Sequence, residues 1–178
     1  SDNVTVANDL TATSFTGDGS QLTNLPASGK ILQVVQVVKL DTATTTAVLG
    51  SAWADISGMS LSITPSSISS KILVMVCGAT SPASSNYVIG VNLVRGATSI
   101  FQGNARGSAA RVSMGDVNQT NQVSQFGISY LDSPATTSAT TYKLQMASES
   151  GNTATFGGTS SSGGLNVPGS IILMEVGA

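Results

Sequence analysis

Chemistry near neutral pH needs side chains that ionise or can be activated there, and this 178-residue chain holds few: no histidine, one cysteine, and nine acidic residues against seven basic ones. Without histidine the ordinary nucleophile–base pairs are missing, which leaves paired carboxylates of the kind that cleave glycosidic bonds. The carboxylates to weigh are Asp41, Asp55, Asp116, Asp132, Glu149 and Glu175. Asp41 and Asp132 stand beside turn residues at strand ends, Asp55 follows Trp53 in a short strand, and Asp116 falls in a polar loop. Each is expected to be structural. Glu175 lies in the apolar terminal run and is expected to form an ion pair with Lys30, Lys39 or Lys71, or to sit on a rim. Cys77 ends another apolar run and reads as a small buried hydrophobe. The expectation is a non-enzyme.

No metal or cofactor is expected either. The chain lacks a cysteine pair and an Asp-x-Asp-x-Asp run, and Asp18 between Gly17 and Gly19 reads as a turn former. A symmetry axis could still gather three copies of one side chain around an ion. Nucleic acid is excluded as a partner, because seven basic residues spread over the whole length cannot make the cationic patch that displaces counterions.

What remains is recognition by loops on a rigid frame. The richest stretch runs from Gly103 to Gln122, and its candidate binding residues are Asn104, Arg106, Arg111, Asn118, Gln119 and Asn121. Amides and guanidinium groups suit the hydroxyls and acidic groups of surface glycans. Two further loops offer less chemistry, Ser81 to Asn86 and the mobile-looking Gly157 to Gly164. Tyr87, Phe101 and Phe156 are candidates for stacking on sugars, whereas Trp53 reads as core.

The frame that positions these loops is expected to be all-β. Hydrophobic residues make up 40% of the chain, charged ones only 9%, and mean hydropathy is +0.23, so disorder is a poor description. The longest apolar runs, Ile72 to Cys77 and Ile171 to Met174, are far short of the roughly 20 residues of a membrane-crossing helix. Strands are expected at Lys30 to Leu40, Trp53 to Ile56, Met59 to Thr64, Lys71 to Cys77, Tyr87 to Arg95, Ser124 to Leu131, Thr141 to Ala147 and Ser170 to Val176. With turns between them and no helical period, they predict an antiparallel β-sandwich of jelly-roll type.

These strands are of two kinds. Tyr87-Ile89-Val91-Leu93, Phe126-Ile128-Tyr130 and Tyr142-Leu144-Met146 alternate with smaller or more polar neighbours and so expect one wet face. Ile72 to Cys77, Ile171 to Met174 and much of Ile31 to Leu40 are apolar on both faces. A two-layer sandwich covers one side of each sheet, so the other side is expected to be covered by a copy of the chain around a symmetry axis.

A breaker cluster, Pro26-Ala27-Ser28-Gly29, divides residues 1–28 from a head domain, 29–178. The first part carries a Val4 to Val6 strand, a Leu10 to Phe15 strand, and then Gly17-Asp18-Gly19-Ser20-Gln21-Leu22-Thr23-Asn24-Leu25-Pro26. Such a rung cannot bury its own apolar face and must pair with further rungs or chains. This order of parts resembles the shaft of bacteriophage tail fibres leading to a receptor-binding tip. The pieces Ala52 to Ile56, Leu61 to Pro65, Ser70 to Val74 and Gly169 to Val176 are similar, more loosely, to trimeric jelly-roll tip domains. The resemblance implies a homotrimeric virion protein, acting outside the cell, joined to other tail or fibre proteins on its N-terminal side. It implies non-enzymatic attachment to a bacterial surface glycan or outer-membrane protein, without membrane insertion. The alternative is a purely structural virion part, a capsid decoration protein or fibre connector. A bacterial surface adhesin or spore-coat protein with the same head is a third class. Ser1 also suits a C-terminal portion of a longer polypeptide or a processed product.

Overall fold

Side chains in a strand point alternately to opposite faces, so a strand that packs one face on a core and one on water reads as a burial period of two. That period is written along most of this chain in its computed structural model, which describes residues 29–161 and 164–178. The expected fibrous segment, 1–28, lies outside the described residues.

Eleven strands are present among the described residues: β1 (Ile31–Lys39), β2 (Ala43–Thr45), β3 (Ala54–Ile63), β4 (Lys71–Pro82), β5 (Tyr87–Arg95), β6 (Thr98–Ile100), β7 (Met114–Asn118), β8 (Ser124–Asp132), β9 (Thr140–Ser148), β10 (Ala154–Phe156) and β11 (Gly169–Val176). One sheet runs β1-β11-β4-β8, with β10 and β2 extending it past the end of β11. The other runs β3-β9-β5, and β6 and β7 lie end to end along the free side of β5. All pairings between these eleven strands are antiparallel. Successive long strands cross from one sheet to the other, and the two orders are those of a jelly roll built from two Greek keys. The expected fold class is therefore found.

Between the sheets lies one apolar core that includes Ile56, Met59, Ile72, Val74, Ile89, Leu93, Leu144, Met146, Phe156, Ile171 and Leu173. Phe156 is fully buried because two glycines make room for its ring. A Cβ on Gly78 would stand 2.6 Å from it, and one on Gly169 would stand equally close. The ring also meets Phe126 edge-on at 6.2 Å.

Several expectations are corrected here. The two short strands on either side of Ser57-Gly58 are one strand, β3, interrupted by a bulge between Asp55 and Ser60. Gly58 takes φ +81° at the bulge and lies against the aliphatic chain of Lys39. Asp116 is in β7, not in a loop, and β4 continues through Ser81 and Pro82. Strand β5 has no wet face. Its outward side at Gly90 is covered by Leu49, Val112 and Trp53, so Trp53 packs outside the sheet rather than in the core between the sheets. Cys77 is exposed: Ile72, Val74 and Val76 point inward, and that parity turns Cys77 outward, where its Sγ lies 3.2 Å from Ser170 Oγ.

Candidate functional site

The sandwich has two distinguishable ends. At one, Gly29 N–H donates to Gly177 O and Gly177 N–H to Lys30 O, so the start of the head lies beside Gly177. Strands β4 and β5 meet at the other end through residues 83–86, and β7 turns into β8 there through 119–123.

The far end is built of hydroxyls and amides that bind one another. Ser85 Oγ and Thr120 Oγ1 are 2.8 Å apart, Gln119 Nε2 donates to Asn86 Oδ1 at 2.9 Å, and Ser160 Oγ donates to Asn121 Oδ1 at 2.9 Å. Asn121 N–H in turn donates to Pro82 O. Asn86 and Asn121 both adopt positive φ, +66° and +59°, a conformation that asparagine tolerates better than most residues. Among the described residues of this cluster no side chain is charged. The surface therefore offers neutral donors and acceptors, which match a neutral polyol better than an anion.

The candidate residues thus divide into two groups. Gln119 and Asn121 belong to the far-end cluster, and Asn118 closes β7 beside them. Asn104, Arg106 and Arg111 lie elsewhere, in the 101–113 loop that hangs from the edge of β5 between β6 and β7. Arg111 is committed to that loop's own shape: its Nε donates to Gly103 O at 2.8 Å. The loop's base is held by Gln102, whose Nε2 donates to Arg111 O and to the Oδ1 of buried Asn92, and by Ser113, whose Oγ donates to Ile100 O. Asn104 and Arg106 are exposed. Sequence adjacency suggested one surface across 103–122, but β7 separates the two groups. The partners missed from the sequence are Ser85, Asn86, Thr120 and Ser160, which carry no signal until the loops are brought together.

The carboxylates weighed as catalytic have structural partners. Asp41 accepts from buried Lys39 at 2.8 Å, and Asp55 accepts from Lys143 and Gln145, both at 2.8 Å. The hydrogen bond from Lys39 lowers the pKa of Asp41, and those from Lys143 and Gln145 lower that of Asp55. Asp132 accepts from Arg95 and Tyr142, and Glu149 from Val88 N–H. Glu175 overturns its expectation of an ion pair. It is 1% exposed, and the partners resolved for it are neutral: Ser66 N–H at 2.7 Å, Ser66 Oγ at 2.6 Å and Gln33 Nε2 at 2.6 Å. Burial pushes its pKa up, but the hydrogen bonds from Ser66 and Gln33 outweigh burial and bring it down to about 2.

Of the aromatics considered for sugar stacking, Phe156 is a core residue and is corrected accordingly. Phe101 is 45% exposed and packs its ring 5.1 Å from that of Tyr130. Tyr87 is half-buried at the start of β5.

No family model matches the chain, and no curated protein matches it. Solved structures with a similar course include that of the infectious bursal disease virus Gx strain, at 12% identity and TM-score 0.46 over 94% of this chain and 42% of the other. A D431N mutant of the VP2 protein of the same virus, in derived T=1 particles, aligns at 14% identity and TM-score 0.45 over 94% of this chain and 41% of the other. The chain thus spans less than half the length of the chains it matches.

Proposed function

We propose that this chain is a non-enzymatic structural component of a virion, a homotrimeric jelly-roll head carried at the end of a fibrous segment. The observation that carries the reading is the polarity of the sandwich: Gly29, which follows the fibre-like Gly-Asp-Gly-Ser rung in the sequence, lies at one end beside Gly177. The hydrogen bonds that Asp41, Asp55, Asp132 and Glu175 make at strand ends and between strands support a structural role for these carboxylates. That is the chemistry of a part built to hold its shape.

A second reading, attachment to a bacterial surface, is favoured by the far-end cluster of Ser85, Asn86, Gln119, Thr120, Asn121 and Ser160. A fibre tip presents its far end to the host, and these neutral groups would bind glycan hydroxyls weakly but repeatedly around an axis.

Immunogold electron microscopy tests both readings, using antibody raised against the protein and particles purified from infected cultures. Label at a fixed place on every particle is expected. Label at a tail tip would favour attachment, and label over the shell would favour a decoration role. Label confined to bacterial surfaces, with bare particles, would overturn both and leave a surface adhesin.

A further inference from the structure

The two sheets of the sandwich turn very different faces outward. On β3 and β9 the outward residues are polar and bonded to one another: Lys143 and Gln145 hold Asp55, and Ser62 and Thr141 share a hydrogen bond at 2.8 Å. On β1-β11-β4-β8 the strand register lines up three rows instead. The first is Val34, Met174, Leu73 and Leu131, the second Gln36, Ile172, Met75 and Ser129, and the third Val38, Ser170, Cys77 and Gly127. Val34 is 55% exposed, Val38 51%, Leu131 47% and Met75 40%.

We propose that this face is the contact surface through which the chain binds further copies of itself. Four strands about 4.8 Å apart, over about six residues at about 3.3 Å each, give a patch of roughly 400 Å². Gln36, Ser129, Ser170 and Gly127 interrupt it, which puts its apolar part near the lower end of the largest apolar patches on monomers, about 300–600 Å², which are often functional. It also suits the apolar core of a standard interface, which buries about 800 Å² per partner with a polar rim around such a core.

Charge narrows the choice of occupant. The three rows hold no ionisable group except the Cys77 thiol, and Lys71 stands at their margin. A second copy therefore meets no like charge when it packs here, whereas a charged partner finds nothing to pair with. Residues 1–28 are a poorer cover, since they bring Asp2, Asp9 and Asp18 without a single basic residue. Strand β1 adds to the case. It is the edge strand beside this face, paired among the described residues only with β11, and an edge of that length is a template for another chain. Copies set around an axis parallel to the strands would bring their Gly29 ends together. The inference rests on the face alone and stands whether or not the protein belongs to a virion.

The test compares the full chain with Val34→Asp and Met75→Asp, both at exposed positions, and with Ser62→Asp on the polar face as control. Light scattering at micromolar concentration reads mass, thermal melting reads folding, and the rate of Cys77 alkylation reads cover over the third row. The expected result is an oligomer with slow Cys77 alkylation for wild type and Ser62→Asp. Both face variants should be folded monomers with alkylation faster by at least tenfold. An oligomer that survives both face variants would overturn the proposal, as would a monomeric wild type. A monomer with protected Cys77 would assign the cover to residues 1–28 instead.

Discussion

The phenol of Tyr142 donates a 2.6 Å hydrogen bond to Oδ2 of Asp132 inside the sandwich, and the same carboxylate accepts from Arg95 Nη1 at 2.8 and 2.7 Å. Tyr142 is fully buried and Asp132 is 3% exposed. The three residues come from β9, β8 and β5, so this network fastens the edge of one sheet to the middle of the other near the end where Gly29 enters.

Breaking that network should cost more when a charge is stranded than when a donor is lost. Tyr142→Phe is expected to cost about 1.5–3 kcal/mol, the range for a hydrogen bond to a charged group. Arg95→Met leaves Asp132 without its cation, and is expected to cost about 3 kcal/mol, at the low end for buried pairs because the Arg95 side chain is 30% exposed. Denaturant melts of the two variants check the order. A double variant Arg95→Met/Asp132→Asn should recover part of the loss. Alkaline titration followed by ultraviolet absorbance gives a second check, since burial first and Asp132 second push the Tyr142 phenol well above the ordinary tyrosine value.

Glu175 makes the fold sensitive to acid. Its pKa is about 2 in the folded chain against an ordinary 4.5, so the folded state holds the carboxylate more favourably than the unfolded state does. The resulting stabilisation is complete above pH 4.5 and is lost as pH falls toward 2. Glu175→Gln is expected to lower stability at pH 7 and to flatten its fall between those limits. Denaturant midpoints measured at half-unit steps of pH would show the two curves converging at the acid end.

Much of this architecture was legible before folding, and the failures have physical causes. Alternation marked β8 and β9 because one face of each meets water. The apolar runs of β4 and β11 carry no alternation, so they give no sign of which residues turn inward, and Cys77 reads as buried although it faces outward. Strands β2, β6 and β10 have three residues each, too few for a period. Ser57-Gly58 looked like a break because a bulge uses the same residues as a turn. The candidate site was legible only as composition. That Gln119 meets Asn86 and Asn121 meets Ser160 depends on loops separated by 33 and 39 positions.

The slot for Phe156 should not tolerate a methyl group. Gly78→Ala places a Cβ 2.6 Å from the Phe156 ring and 2.9 Å from Phe126, and the fully buried Phe156 ring is also hemmed in on the side of Gly169. An overpacking loss of about 1–3 kcal/mol is expected, together with changed near-ultraviolet circular dichroism. Phe156→Leu in the same chain should return part of that stability by vacating the slot. Failure of the double variant to improve on Gly78→Ala would place the strain elsewhere.

The two arginines among the candidate binding residues, Arg106 and Arg111, are expected to behave differently. Arg111 closes the 101–113 loop through Gly103 O, so Arg111→Ala should loosen the loop and increase proteolytic nicking within it. Arg106 is exposed, and Arg106→Ala should leave both melting and nicking unchanged. A loss of cell binding in Arg106→Ala would therefore report direct contact with a surface ligand, while the same loss in Arg111→Ala alone would report only the loop's shape. If attachment instead uses the far end, neither arginine variant should lose binding. Gln119→Ala combined with Asn121→Gly should then do so, with Gly chosen because it keeps the positive φ at position 121 available.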